Sequence, residues 1–182
     1  MTRANHRQIP LHEAMTEFAL DSLLGDDFDD LIGDRLDEND SVLVFDGDTV
    51  CEGSLDLLNR SVVFGEPWHS QRHGLIVVNG SLAMNQIDLY GVDGLVVLGD
   101  LRCDSLHLRE ELLYVQGHLI AHGAVRATAS QDWHEARARM LGPLHVHVKG
   151  TASSPVVQTW YMPLHHLRWT PGSGAEESLV FQ

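Results

Sequence analysis

The chain has 182 residues, 43% of them hydrophobic and 21% charged, a length that can bury a sizeable core without disulfides or metals and that excludes a stapled mini-protein. Twelve basic against twenty-six acidic residues leave a formal charge of −14, which weighs against nucleic acid or an anionic lipid surface as partner and favours a basic one. No run of eighteen apolar residues offers a membrane span.

From the N-terminus, Met1 to Pro10 carries Arg3 and Arg7 but no apolar stretch follows, so no secretory signal is expected. Together with only two cysteines, Cys51 and Cys103, this points to a cytoplasmic protein. Between Pro10 and Leu24, Leu11, Met15, Phe18 and Ser22 fall on one helical stripe that Leu20, Leu23 and Leu24 widen, and Gly25 ends it. Residues 1 to 50 hold thirteen of the twenty-six carboxylates against Arg3, Arg7 and Arg35. Eight of them crowd between Asp26 and Asp40, where Phe28, Leu31, Ile32 and Leu36 keep a helical spacing, so a short acidic helix with one buried edge is predicted.

From Ser41 the period changes to two and a repeat emerges. Five segments share one pattern, Val44 to Thr49, Val77 to Leu82, Val96 to Leu101, Tyr114 to Leu119 and His147 to Ala152, each centred on a glycine. Those glycines, Gly47, Gly80, Gly99, Gly117 and Gly150, are separated by 33, 19, 18 and 33 residues. Two before the glycine stand Phe45, Val78, Val97, Val115 and Val148, and four before it Leu43, Ile76, Leu95, Leu113 and Val146. Two after it stand Thr49, Leu82, Leu101, Leu119 and Ala152, and four after it Cys51, Met84, Cys103, Ala121 and Ser154. These columns are read as facing inward, with the alternate positions outward, as for a strand buried on one face.

A unit of 18 to 19 residues is too short for a helical crossover but fits one coil of a parallel β-solenoid. The predicted fold is therefore mainly β, a right-handed parallel β-helix of five to six coils, with an N-terminal helical cap. Its parts are an acidic cap over residues 1–40, the β-helix over 41–160, and a C-terminal cap and tail over 161–182. The two 33-residue intervals carry inserted loops, Glu66 to Gly74 and Ala127 to Pro143, and Gly65 offers a further irregular coil.

The runs Leu75 to Leu82 and Leu95 to Cys103 resemble the β-helical core of bactofilin-type, polymer-forming cytoskeletal proteins. They are also similar to small acidic bacterial proteins with V-x-G-D-L coils, some from toxin-immunity loci. The resemblance covers about residues 41 to 160 and implies the fold; functionally it implies a self-assembling scaffold or an immunity protein.

Catalytic signatures are missing: no G-x-S-x-G, phosphate loop, dinucleotide fingerprint or H-E-x-x-H occurs. His145 and His147 alternate on one strand as a two-ligand start for zinc, but a third ligand at useful spacing is not visible. Cys51 and Cys103 fall in one inward column and read as packing thiols. No catalytic residue, cofactor or metal is assigned. Candidate partner-binding residues are Asp26, Asp27, Asp29, Asp30, Asp34 and Asp37 in the acidic run, with Trp68 and His69 on the first inserted loop and Trp133 and His134 on the second. The sequence-based expectation is a non-catalytic immunity or antitoxin protein that neutralises a basic toxin. A bactofilin-like scaffold, in which the chain forms a homo-oligomer, is the alternative, and a metal-dependent enzyme the third reading.

Overall fold

The computed structural model of the protein describes residues 5–25, 36–38, 40–56, 74–89, 92–108, 111–128 and 146–160. Strands flank each repeat glycine: β2 (Ser41–Asp46) and β3 (Thr49–Asp56) around Gly47, and β4 (Leu75–Asn79) and β5 (Leu82–Asp88) around Gly80. β6 (Gly94–Val97) and β7 (Leu101–Leu108) flank Gly99, while β8 (Leu112–Val115) and β9 (Leu119–Ala121) flank Gly117, with β10 (Ala124–Thr128) following. The last unit has β11 (Val146–Val148), β12 (Ala152–Ser153) and β13 (Val156–Trp160) around and after Gly150. Ahead of the repeats stand β1 (Asn5–Pro10), α1 (Leu11–Phe18) and α2 (Leu20–Leu24). The protein is mainly β and its sheets are largely parallel.

Strands preceding the glycines form one six-stranded sheet in the order β1-β2-β4-β6-β8-β11. Those following the glycines form a second sheet, in which the long β7 pairs with β9 through Leu101 to Cys103 and with β10 through Leu106 to Leu108. Each apolar column of the repeat is a ladder of direct neighbours. Leu43, Ile76, Leu95, Leu113 and Val146 pair in succession, as do Phe45, Val78, Val97, Val115 and Val148. Beyond the glycines, Thr49, Leu82, Leu101, Leu119 and Ala152 do the same, and Cys51, Met84, Cys103 and Ala121 follow. Stacking in one register brings these columns together in a single core between the two sheets.

The alternate positions of the first sheet are not outward in the sense the repeat implied. Val44, Val77 and Val96 are fully buried and Tyr114 nearly so, because α1, α2 and Leu36 pack over them as a second core. The four-residue apolar runs of β4, β6 and β8 are thus buried on both faces, as parallel strands between two layers are. The helical stripe predicted from Pro10 to Leu24 is broken at Ala19, whose φ of 49° ends α1 and starts α2, and Ser22 is exposed rather than on the buried face. Burial falls instead on Leu11, Ala14, Phe18, Leu20 and Leu24. The strand β1, which no periodicity announced, pairs antiparallel with β2 from Asn5 against Asp46 to Pro10 against Ser41. It closes the edge of the six-stranded sheet that the helices were expected to cap.

At each corner the residue after the glycine stitches one unit to the next. Asp48 Oδ1 accepts the Ser81 N–H at 2.8 Å, Ser81 Oγ the Asp100 N–H at 3.2 Å, and Asp100 Oδ1 the His118 N–H at 2.9 Å. His118 Nδ1 lies 3.0 Å from the Thr151 N–H, which donates to it. The His118 amide, and next the Arg102 guanidinium 3.2 Å from Oδ2, hold the Asp100 carboxyl below the usual carboxylate range. A depressed folded value means that the contribution of Asp100 is present above the unfolded pKa of about 4 and disappears as pH falls through the folded one. Asp100→Asn keeps a carbonyl acceptor for the amide but cannot titrate. Thermal unfolding followed from about pH 5 to about pH 2.5 is expected to show a shallower acid loss for the variant than for the native protein.

Candidate docking surface

The helical layer presents its charge away from the sheet. With Leu11, Ala14 and Phe18 buried, Glu13 and Glu17 occupy the solvent side of α1, and Asp21 is exposed on α2. Pro10 precedes α1 without a side-chain cap, so the first helical amides find partners across the chain. The Leu11 N–H donates to the Asp40 carbonyl at 2.9 Å and the His12 N–H to the Glu38 carbonyl at 3.1 Å. These bonds hold the exposed Asp37 and Glu38 beside the start of the helix, and Asp40 Oδ2 accepts the Asp37 N–H at 2.8 Å.

Arg7 is the described cation of this region, and it is engaged from two sides. Its Nε donates to Asp46 Oδ2 at 2.9 Å and its Nη1 to Glu17 Oε2 at 2.9 Å. Glu17 first and Asp46 second raise its pKa further. The guanidinium is thereby neutralised within the fold, and Glu13, Asp21, Glu38 and Asp48 leave the local field negative.

Of the ten residues singled out from the sequence, Asp37 is among the described ones. It is exposed, but residues 36–38 are not helical, and the chain turns at Glu38 with Leu36 buried beneath. The acidic helix predicted to reach Asp40 therefore does not extend over this stretch: hydrogen bonding of the Glu38 and Asp40 carbonyls to α1 replaces a helical ladder. Asp26, Asp27, Asp29, Asp30 and Asp34, together with Trp68, His69, Trp133 and His134, lie outside the described residues. Reading the acidic run alone missed Glu13, Glu17 and Asp21, although the i, i+4 pair Glu13 and Glu17 opposite the apolar stripe marks a solvated acidic face.

Elsewhere, Asp88 and His107 are register neighbours, with Nδ1 3.4 Å from Oδ2 and both side chains partly buried. Among the described residues no group of three or more His, Cys, Asp and Glu could hold a metal ion. Lys149, on the outward side, lies over the Tyr114 ring with Nζ 5.9 Å from its centroid. Burial pushes the Cys103 thiol up to about 12 and raises Cys51, so both read as small packing groups and not nucleophiles. Among the described residues no helix is long and apolar enough to cross a membrane.

No known family, no curated protein and no solved structure matches the chain, so the likeness of its repeats to bactofilin-type and immunity-like proteins rests on the coil pattern alone.

Proposed function

We propose that the protein is a right-handed parallel β-helix that binds another protein and carries no catalytic activity, an immunity or antitoxin protein that neutralises a basic toxin in the bacterial cytoplasm. Five in-register units, each giving one stretch to the first sheet and its remainder to the second, support the solenoid reading. Parallel strands joined by crossovers are right-handed in nearly all sheets, which supports the hand. The observation that carries the docking reading is the helical layer: Glu13, Asp21, Asp37 and Glu38 are exposed, and Arg7 is already held by Glu17 and Asp46. Such a field steers a basic partner and sharpens selection against acidic ones.

The test is a pull-down from lysate of the source cells, followed by association kinetics with the captured partner at low and high salt. Replacing Glu13, Asp21, Asp37 and Glu38 by their amides is expected to slow association at least about tenfold at low ionic strength and to flatten the salt dependence. An unchanged association rate would clear the helical layer and direct attention to Trp68 and Trp133. Self-assembly of the bactofilin kind is the second reading. Its support is the strand edge that β3 offers, while the pairing of β1 along β2 stands against it.

A further inference from the structure

Among the described residues, the first repeat unit is closed on one strand and open on the other. β1 covers β2, whereas β3 pairs only with β5 among the described strands. The Thr49 N–H donates to the Ser81 carbonyl at 2.8 Å, so in a parallel ladder Thr49 and Cys51 turn their backbone groups to β5. The N–H and C=O of Val50 then point to the outer edge. Val50 is also the one exposed large hydrophobic side chain among the described residues, at 71%. An edge with outward backbone donors and acceptors beside an exposed apolar residue is a template for an added strand.

Charge decides which strand would fit. From Leu36 to Asn59 the chain carries seven carboxylates, Asp37, Glu38, Asp40, Asp46, Asp48, Glu52 and Asp56, and no lysine, arginine or histidine. A second copy's β3 would bring its own Glu52 and Asp56, with Asp48 just before them, against the same three carboxylates, and like charges across a ladder destabilise it. The far end of the stack, residues 146–160, has no carboxylate and carries His147 and Lys149, but stacking it on the first unit would require the β2 edge that β1 already occupies. A single extended strand needs β3 alone. The register of β3 on β5 shifts between Cys51 and Ser54, with one more residue on β3, and this bulge limits regular pairing to a short segment.

We infer that the outer edge of β3, centred on Val50, docks a short, extended, lysine- or arginine-rich segment of a partner protein by strand addition. This rests on the reading of the protein as a binder of basic partners and specifies how part of such a partner is held.

The probe is a capped hexapeptide of alternating Lys and Val, offered to the full chain and followed by amide NMR. Its controls are the same peptide N-methylated at alternate backbone nitrogens and a Glu-Val counterpart. Binding is expected to protect the Val50 amide from exchange, to weaken at least about tenfold on N-methylation, and to vanish for the acidic peptide. Val50→Pro removes an N–H that β5 does not use, a substitution an edge position tolerates, and is expected to abolish binding. Val50→Arg, which leaves the backbone intact, is expected to weaken binding and keeps the test decisive if the proline variant fails to fold. Equal binding of the N-methylated peptide would overturn strand addition while leaving the acidic docking surface standing. A Val50 amide already protected in the free protein would overturn the proposal, as would chain-length growth in light scattering that Val50→Pro abolishes, since that assigns the edge to a second copy. An unchanged association rate after the four amide substitutions above, with peptide binding intact, would instead remove the helical surface and spare the edge.

Discussion

Val97→Asp is expected to unfold the protein, and Val50→Asp to leave it folded with a loss below about 1 kcal/mol. The chemical change is the same at both positions; the surroundings differ. Val97 is fully buried, with Val78 and Val115 as its ladder neighbours in the core between the sheets. A carboxylate there has apolar side chains on either side, and burying a charge without a partner costs several kcal/mol or forces the group to take up a proton. That is comparable to the whole stability of a domain of this size. Val50, at 71% exposure, keeps its solvent after substitution, and only repulsion from nearby carboxylates such as Asp48 is added. Urea titrations followed by circular dichroism check the pair. Equal losses at both sites would contradict the assignment of the column two before the glycine to the interior.

That assignment was legible because a repeat converts sequence alignment into strand register. Once Gly80, Gly99 and Gly117 are superposed, Ile76, Leu95 and Leu113 must become neighbours, and they do. The second buried face was less legible. Leu75-Ile76-Val77-Val78 and Leu112-Leu113-Tyr114-Val115 are continuous apolar runs, the pattern of strands covered on both sides, but numbering outward from the glycine drew attention to every second residue. β1 was hidden for a different reason. In Asn5–Pro10 only Ile9 is buried, so there is no alternation to detect, and its pairing with β2 spans more than thirty residues of chain. The turn at Glu38 was obscured likewise: Phe28, Leu31, Ile32 and Leu36 keep a helical period, yet backbone carbonyls at positions 38 and 40 serve as the cap that Pro10 cannot provide to α1. The acidic character of the segment before β2 was visible in composition, whereas its anchoring to α1 depends on long-range hydrogen bonds that composition does not encode.

Gly99→Ala is expected to cost about 3 kcal/mol, at the upper end of what overpacking a close contact produces, and far more than the same change at Gly47. A Cβ at residue 99 would stand 2.7 Å from the Gly80 carbonyl carbon and 2.7 Å from the Ser81 nitrogen, both backbone atoms of the preceding unit. That backbone cannot retreat without loss. The Leu82 N–H donates to the Asp100 carbonyl at 2.8 Å and the Asp100 N–H to Ser81 Oγ at 3.2 Å, so moving either corner lengthens the bonds that set the spacing of the units. At Gly47, the first corner, a Cβ would meet nothing within 4 Å, and the penalty is confined to holding a side chain at φ +86°, about 1 kcal/mol. The repeated glycine is thus required at residues 99, 117 and 150 by the approach of one corner to the next, at Gly47 by its own backbone conformation, and at Gly80, with φ +156°, by both. Denaturant midpoints of the two variants, compared at unchanged m-value, measure the difference directly. A Gly47→Ala loss equal to that of Gly99→Ala would mean that local backbone conformation, and not close stacking of successive units, dictates the glycine column.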